Sequence, residues 1–254
     1  MRGILTAATM VGLVLGAPLV ARADDEADMK ALIEKAVKAH GGLEKLSKNK
    51  ASTSKFKGKF YGMGEGIDYT ADMSVQGQTQ MRFDLSFDAG GMKITVVNVL
   101  NGDKGWSSIN GKTEEMSKEA IAEGKEGLYF GHVATLYPLT EKEFKLSPLG
   151  ESKVGDKEAV GVKASRKDHR DVNLYFDKKT NLLLKMEHQS KDVMGGGGEF
   201  NQETFYDDYK EVAGTQQPHK LVIKRDGKDY VDAEITETKP VEKLDDKVFD
   251  KPKD

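Results

Sequence analysis

The chain has 254 residues, of which 37% are hydrophobic and 32% charged, with a formal net charge of −3 and no cysteine. Disulfide frameworks, thiol redox chemistry and cysteine-ligated zinc are thereby excluded, and a hydrophobic core must hold the fold unaided. Acidic and basic residues are interspersed rather than segregated, which argues against a nucleic-acid groove.

The chain opens on Met1-Arg2-Gly3, followed by an apolar run from Ile4 to Val20 that Pro18 interrupts, then Ala21-Arg22-Ala23 and the acidic stretch Asp24-Asp25-Glu26. Positive start, greasy centre and small-x-small site are the order of a secretory signal, and cleavage is expected after Ala23. A permanent anchor would need about 20 uninterrupted apolar residues. Loss of residues 1–23 takes away Arg2 and Arg22 and no acid, leaving 37 basic residues (39 less 2) against 42 acidic ones. With no cysteine at the site to carry a lipid, residues 24–254 are expected to form one domain, unanchored in the periplasm.

Met29, Leu32, Ile33, Ala36 and Val37 recur at the spacing that lines one helical face, and Gly41-Gly42 supplies the stop. A short turn over Leu43 to Leu46 follows. The period then becomes two. Phe56 and Phe60 alternate with Lys55, Lys57 and Lys59. Ile67, Tyr69, Ala71, Met73 and Val75 form a second alternating set, and Met81, Phe83, Leu85 and Phe87 a third. Glycine-rich joints at 62–66 and Gly77 predict antiparallel hairpins. A fourth strand runs from Met92 to Leu100, and a fifth passes through Trp106 ahead of an Asn110-Gly111 turn. Ser117 is the expected N-cap of a short segment at 118–121, and Leu128 to Leu136 reads as a second amphipathic helix ended by Pro138. From Phe144 strands return, with candidates at 158–165, 172–176, 182–188, 200–206, 221–224 and 231–236. Strands at this even spacing predict one long antiparallel sheet that curls.

Several of these segments, in their order along the chain, resemble the LolA/LolB-like superfamily of periplasmic lipoprotein and lipid carriers. They are Ala39-His40-Gly41-Gly42-Leu43; Val99-Leu100-Asn101-Gly102-Asp103-Lys104-Gly105-Trp106; Leu174-Tyr175-Phe176-Asp177 with Thr180-Asn181-Leu182-Leu183-Leu184; and Leu244-Asp245-Asp246-Lys247-Val248-Phe249-Asp250-Lys251-Pro252. Together they span about residues 26–252. The resemblance implies a mainly β (α+β) fold: a half-open barrel, a single curved antiparallel sheet whose concave face is lidded by helices. It also implies that the apolar hollow receives lipoprotein acyl chains or another lipid. The carriers latch their lid with an early-strand arginine. Here the only one, Arg82, falls on the polar side of its strand, so that role is not carried over.

Chemistry of other kinds finds little support. The five histidines (His40, His132, His169, His188, His219) form no HxxH or HExxH pair, and 167–171 reads as a solvated charged turn. No G-x-S-x-G elbow is present. Asp207-Asp208 and Asp245-Asp246 are adjacent, so in extended chain they face opposite ways. Gly195-Gly196-Gly197-Gly198 lacks the Lys-Ser/Thr of a phosphate loop and reads as a hairpin tip. The Lys55, Lys57, Lys59 stripe reads as a soluble outer face or edge protection, with anionic lipid headgroups or an acidic partner as the functional options.

The expectation is a non-enzymatic, monomeric periplasmic carrier or sensor without metal or cofactor, making transient membrane contact and binding a lipid or lipoprotein acyl chains. Its hollow would be lined by Phe56, Phe60, Tyr69, Met73, Met81, Phe83, Phe87, Ile94, Trp106 and Tyr129, residues that could equally be plain core. The alternative is an envelope protein–protein interaction module on the same fold, with no lipid ligand.

Overall fold

A computed structural model describes residues 23–193 and 196–253. The expected leader thus lies outside the described residues, apart from Ala23. No described helix is long and apolar enough to cross a membrane.

Two helices, α1 (Ala23–Ala39) and α2 (Leu43–Lys48), lead into strands β1 (Ala51–Phe60), β2 (Ile67–Gln76), β3 (Gln80–Ala89), β4 (Met92–Asn101), β5 (Lys104–Ile109) and β6 (Lys112–Glu115). Helix α3 (Lys118–Ala134) interrupts them. Then come β7 (Phe144–Val154), β8 (Lys157–Arg166), β9 (Val172–Asp177), β10 (Leu183–Lys191), β11 (Glu199–Val212), β12 (Thr215–Arg225) and β13 (Lys228–Val241). All strands belong to one 13-stranded sheet in the order β6-β5-β4-β3-β2-β1-β13-β12-β11-β10-β9-β8-β7. Every pairing is antiparallel. The first and last strands of the two runs thus meet in the middle, where β1 pairs with β13, and the sheet is not closed into a barrel.

The sheet curls strongly. Met81 on β3 and Met186 on β10 line one cavity of about 710 Å³, yet six strand-to-strand steps separate them. In a flat sheet that separation would be about 29 Å at the usual strand spacing. Curling is what lets the inward side chains of distant strands share a space.

Helices seal one half of the concave face. Ile33, Ala36 and Val37 of α1 and Tyr129, Phe130 and Val133 of α3 join Leu146, Val162, Ala164, Val172, Leu174, Phe176 and Met186 from β7–β10 in one buried core. The α1 stop works as the sequence suggests. Gly41 and Gly42 take positive φ (119° and 91°), and a Cβ on Gly41 would stand 2.5 Å from the Gly214 carbonyl oxygen, so only glycine fits this approach.

Four expectations need correction. The segments at 118–121 and 128–136 are one continuous helix, capped by the Ser117 hydroxyl accepting from the Ala120 N–H at 3.1 Å. It ends at Ala134, and Pro138 sits in a separate 3-10 turn, Tyr137–Thr140. Strands β11, β12 and β13 are 14, 11 and 14 residues long, well beyond the apolar segments that mark them. And of the two structural readings of the lysine stripe only the outer face holds, because β1 is central rather than an edge strand: Lys55, Lys57 and Lys59 pair outward with Glu237, Glu234 and Asp68 (3.7, 3.1 and 2.8 Å), a cross-strand ladder on the convex face.

Candidate ligand-binding hollow

Register sorts the expected lining residues. On the concave face Phe56 lies opposite Ala71, Tyr69 opposite Phe87, Met73 opposite Phe83, and Phe87 opposite Ile94. Phe56, Phe60, Tyr69, Phe83 and Phe87 form one apolar cluster with Leu85, Leu221, Val231 and Ala233; its six phenylalanine and leucine members are only half-buried. Ile94 is half-buried beside them. Met73 and Met81 line the cavities described below.

Two residues stand elsewhere. Trp106 pairs with Val99, whereas Gly105 pairs with the inward Leu100, so alternation turns Trp106 to the convex face. The C-terminal segment crosses that face, where Asn101 Nδ2 donates to the Phe249 carbonyl at 3.2 Å. Tyr129 is 1% exposed and belongs to the sealed core, its ring stacked 3.8 Å from that of His169. Burial pushes its hydroxyl pKa up to about 12, and the hydroxyl has no partner among the described residues. Arg82 lies on the convex side, its guanidinium donating twice to Asp84 at 2.7 Å, as alternation predicts.

Helix α3 spans the hollow, and its inward face is glycine. Gly124, Gly127 and Gly131 recur at helical spacing, and all three line both the 710 Å³ cavity toward β10–β13 and a second of about 710 Å³ toward β1–β2. Met81 is common to both. A Cβ at Gly124 would strike Leu100, at 2.6 Å, but one at Gly127 or Gly131 would meet nothing within 4 Å. Each mid-helix glycine costs about 0.5–1 kcal/mol relative to alanine. At two positions, Gly127 and Gly131, both exposed, no packing contact repays that cost, and the space beside them stays open.

Polar side chains anchor the lid. Glu123 accepts from both terminal nitrogens of Arg170 (2.8 and 2.6 Å) and from the Lys191 N–H (2.9 Å). Glu126 accepts from the Arg170 N–H at 2.7 Å and lies 2.9 Å from His169 Nδ1. Inside, the His188 ring stacks 3.7 Å from Phe130, and burial lowers its pKa to about 4. At the other wall Arg225, the last residue of β12, holds its guanidinium 3.6 Å from the Tyr230 ring centre and 4.3 Å from that of Phe200. Burial lowers its pKa, and Tyr230 and Asp192 oppose that shift.

Arg225, Phe200, Tyr230, His188 and the three glycines were not singled out from the sequence. A signal for the glycines exists, since three at helical spacing between apolar residues is unusual in a helix. For Arg225 there is none: Phe200 and Tyr230 stand on the two strands flanking β12, but only the register of those pairings brings both rings against one guanidinium. No group of three or more histidines, aspartates or glutamates among the described residues could hold a metal ion.

Comparison with solved structures gives the architecture a name. A LolA superfamily protein from Nitrosomonas europaea superposes with a TM-score of 0.54 at 12% identity, covering 87% of this chain and 97% of that one. The fold is LolA-like. A putative outer membrane lipoprotein-sorting protein domain from Vibrio parahaemolyticus gives 0.52 at 11% identity, over 87% and 95% of the two chains. No family model and no curated protein matches the sequence. The LolA-like likeness is one of backbone path alone, so the chemistry of this hollow rests on this chain's own residues.

Proposed function

We propose that the protein is a non-enzymatic periplasmic carrier or sensor that holds an acyl chain of a lipid or lipoprotein within the curve of its sheet. One observation carries this reading. The concave wall of β1–β4 is apolar and half-buried, and the helix crossing it presents glycine where larger side chains would fit. A plain core would be filled, because interiors pack to crystal-like density and voids are costly.

The energetics suit transport. Each buried methylene contributes about 0.8 kcal/mol, so one chain binds appreciably and still leaves. Phe83, Phe87, Met73 and Met81 offer adaptable contacts for it, methionine above all. Export, expected from residues 1–23, would place the protein where such a shuttle works.

The test is uptake of a fluorescent acyl probe by delipidated protein, with Phe83→Asp as the variant. Saturable binding to the parent, weakened at least ten-fold in the variant, is expected. Protein that takes up no acyl chain of any kind refutes the reading. Native mass spectrometry of protein from its own envelope separates the alternative: a stoichiometric protein partner without co-purifying lipid supports an interaction module.

A further inference from the structure

The cavity between α3 and β10–β13 is not apolar throughout, and its charge is unevenly satisfied. Glu123, which lines it, is filled by Arg170 and the Lys191 N–H. Lys191 reaches Glu199 only at 3.9 Å. The Arg225 guanidinium has no hydrogen bond or ion pair with any described residue, and its Nε is buried without a partner. Asp192 is near enough to attract it, yet Nε keeps no acceptor. A buried guanidinium N–H without an acceptor is costly and uncommon. Its two contacts, the rings of Phe200 and Tyr230, fix the plane of the fork without using its N–H groups. What remains is a pre-oriented donor set suited to a carboxylate or phosphate.

Its position along the strand matters as much. Because every neighbouring pair is antiparallel, the turns after β1, β3, β5, β10 and β12 all lie at one end of the sheet. Arg225 is at that end, immediately before the β12–β13 turn. Four of the exposed large apolar residues stand on the same set of tips: Met63 (61% exposed), Met92 (69%), Ile109 (49%) and Val193 (37%). An exposed apolar rim of this kind suits a lipid surface. A ligand seated in this cavity therefore has its polar end at a greasy rim and its tail running inward past Met186 and beneath Gly127 and Gly131.

We propose that the hollow is specific for an anionic amphiphile, with Arg225 receiving the acid group and the glycine face of α3 covering the chain. This rests on the acyl-binding reading and adds the headgroup to it. The acid could be the carboxylate of a free fatty acid or the phosphate of a phospholipid.

The test compares chains of equal length that differ only in the head. Delipidated protein is titrated with a fluorescent fatty acid, the matching fatty alcohol, a lysophosphatidylglycerol and the uncharged monoacylglycerol. The parent is expected to bind at least one acid about ten- to a hundred-fold tighter than its neutral counterpart, the range of a charge-assisted hydrogen bond. Preference confined to the carboxylate pair or to the phosphate pair identifies the source. Arg225→Gln should bring the acid down to the neutral affinity without altering the neutral value, and Arg225→Lys, which keeps the charge but not the fork, should fall between. Rising salt should weaken the parent's acid binding only. Equal binding of acid and neutral heads overturns the proposal while leaving acyl binding intact. A variant that loses both heads equally, at unchanged circular dichroism and melting temperature, also overturns it. Failure of every chain to bind refutes both readings.

Discussion

Over β7–β10 the concave face is sealed: Leu146, Val162, Leu174 and Phe176 are at most 1% exposed, with α1 and α3 laid directly on them. Over β1–β4 the same face carries Phe56, Phe60, Phe83, Leu85 and Phe87 in the same alternation, yet these remain half-buried. The two walls share side-chain chemistry. They differ in what lies above, leucine and aromatic side chains of the helices on one and a row of glycines on the other. On the proposed reading, stability and ligand capacity are separable within one sheet: the covered wall supplies the first, and the open wall with the glycine-lined space under α3 the second.

Truncation is the strongest way to break that division. Phe176→Ala, in the covered half, is expected to cost about 3–5 kcal/mol in urea unfolding, because the surrounding core cannot collapse into the cavity. Phe83→Ala, in the open half, should cost only about 1 kcal/mol, since much of its surface is already wet. Equal losses would show that the two walls are one core.

Acid probes the covered half next. Burial lowers the pKa of His188 to about 4; His132 falls to about 4 as well, through burial and the Arg166 charge. Both are neutral when folded and return to about 6.5 on unfolding, so between pH 6.5 and 4 the unfolded chain binds more protons. Stability is thus present above pH 6.5 and lost as pH falls to 4, by at most on the order of 3 kcal/mol for His188 and by less for the partly exposed His132, which solvent screens. Urea midpoints at pH 7, 6 and 5 should decline in the parent and flatten in His188→Gln. A flat parent profile over that range would contradict the burial of these rings.

The lid anchor gives a smaller effect. Arg170→Ala strips Glu123 of two charge-assisted bonds and should cost about 2 kcal/mol. Hydrogen exchange ought to quicken in α3 before it changes in β7–β9, since the glycine-faced helix has little else holding it on the open side. Uniform quickening would mean that lid and sheet open together.

The sheet was readable because its signals are local. Alternation at 67–75 and 81–87 gives both the strand and the inward face, and turn residues such as Asn110-Gly111 give the hairpins. Where alternation lapses the reading fails: polar positions along β11–β13 hide strand length that long-range pairing supplies. Seven of the ten expected lining residues lie on the concave wall of β1–β3, and Ile94 extends it onto β4. Trp106 escaped because a fifth strand's face depends on the register of the turn at 102–103, and Tyr129 because burial by another helix leaves no local mark. Arg225 with its two rings is the extreme case, an arrangement made by the register of β11, β12 and β13 at one end of the sheet, which no local pattern displays.

The mildest substitution sharpens the comparison most. Gly127→Ala adds a methyl to a position with nothing within 4 Å, so it should raise stability by about 0.5–1 kcal/mol through helix propensity alone. Gly127→Leu should be similarly tolerated in the ligand-free protein, because its side chain enters the hollow instead of displacing a neighbour. Acyl-probe binding, by contrast, should fall stepwise from glycine to alanine to leucine. Such opposed trends distinguish a reserved space from a packing defect: a defect would be relieved by filling, with no function lost. If Gly127→Leu gained stability and bound the probe as tightly as the parent, the space under α3 would have no role in uptake, and the chain would have to lie on the exposed wall of β1–β4 instead.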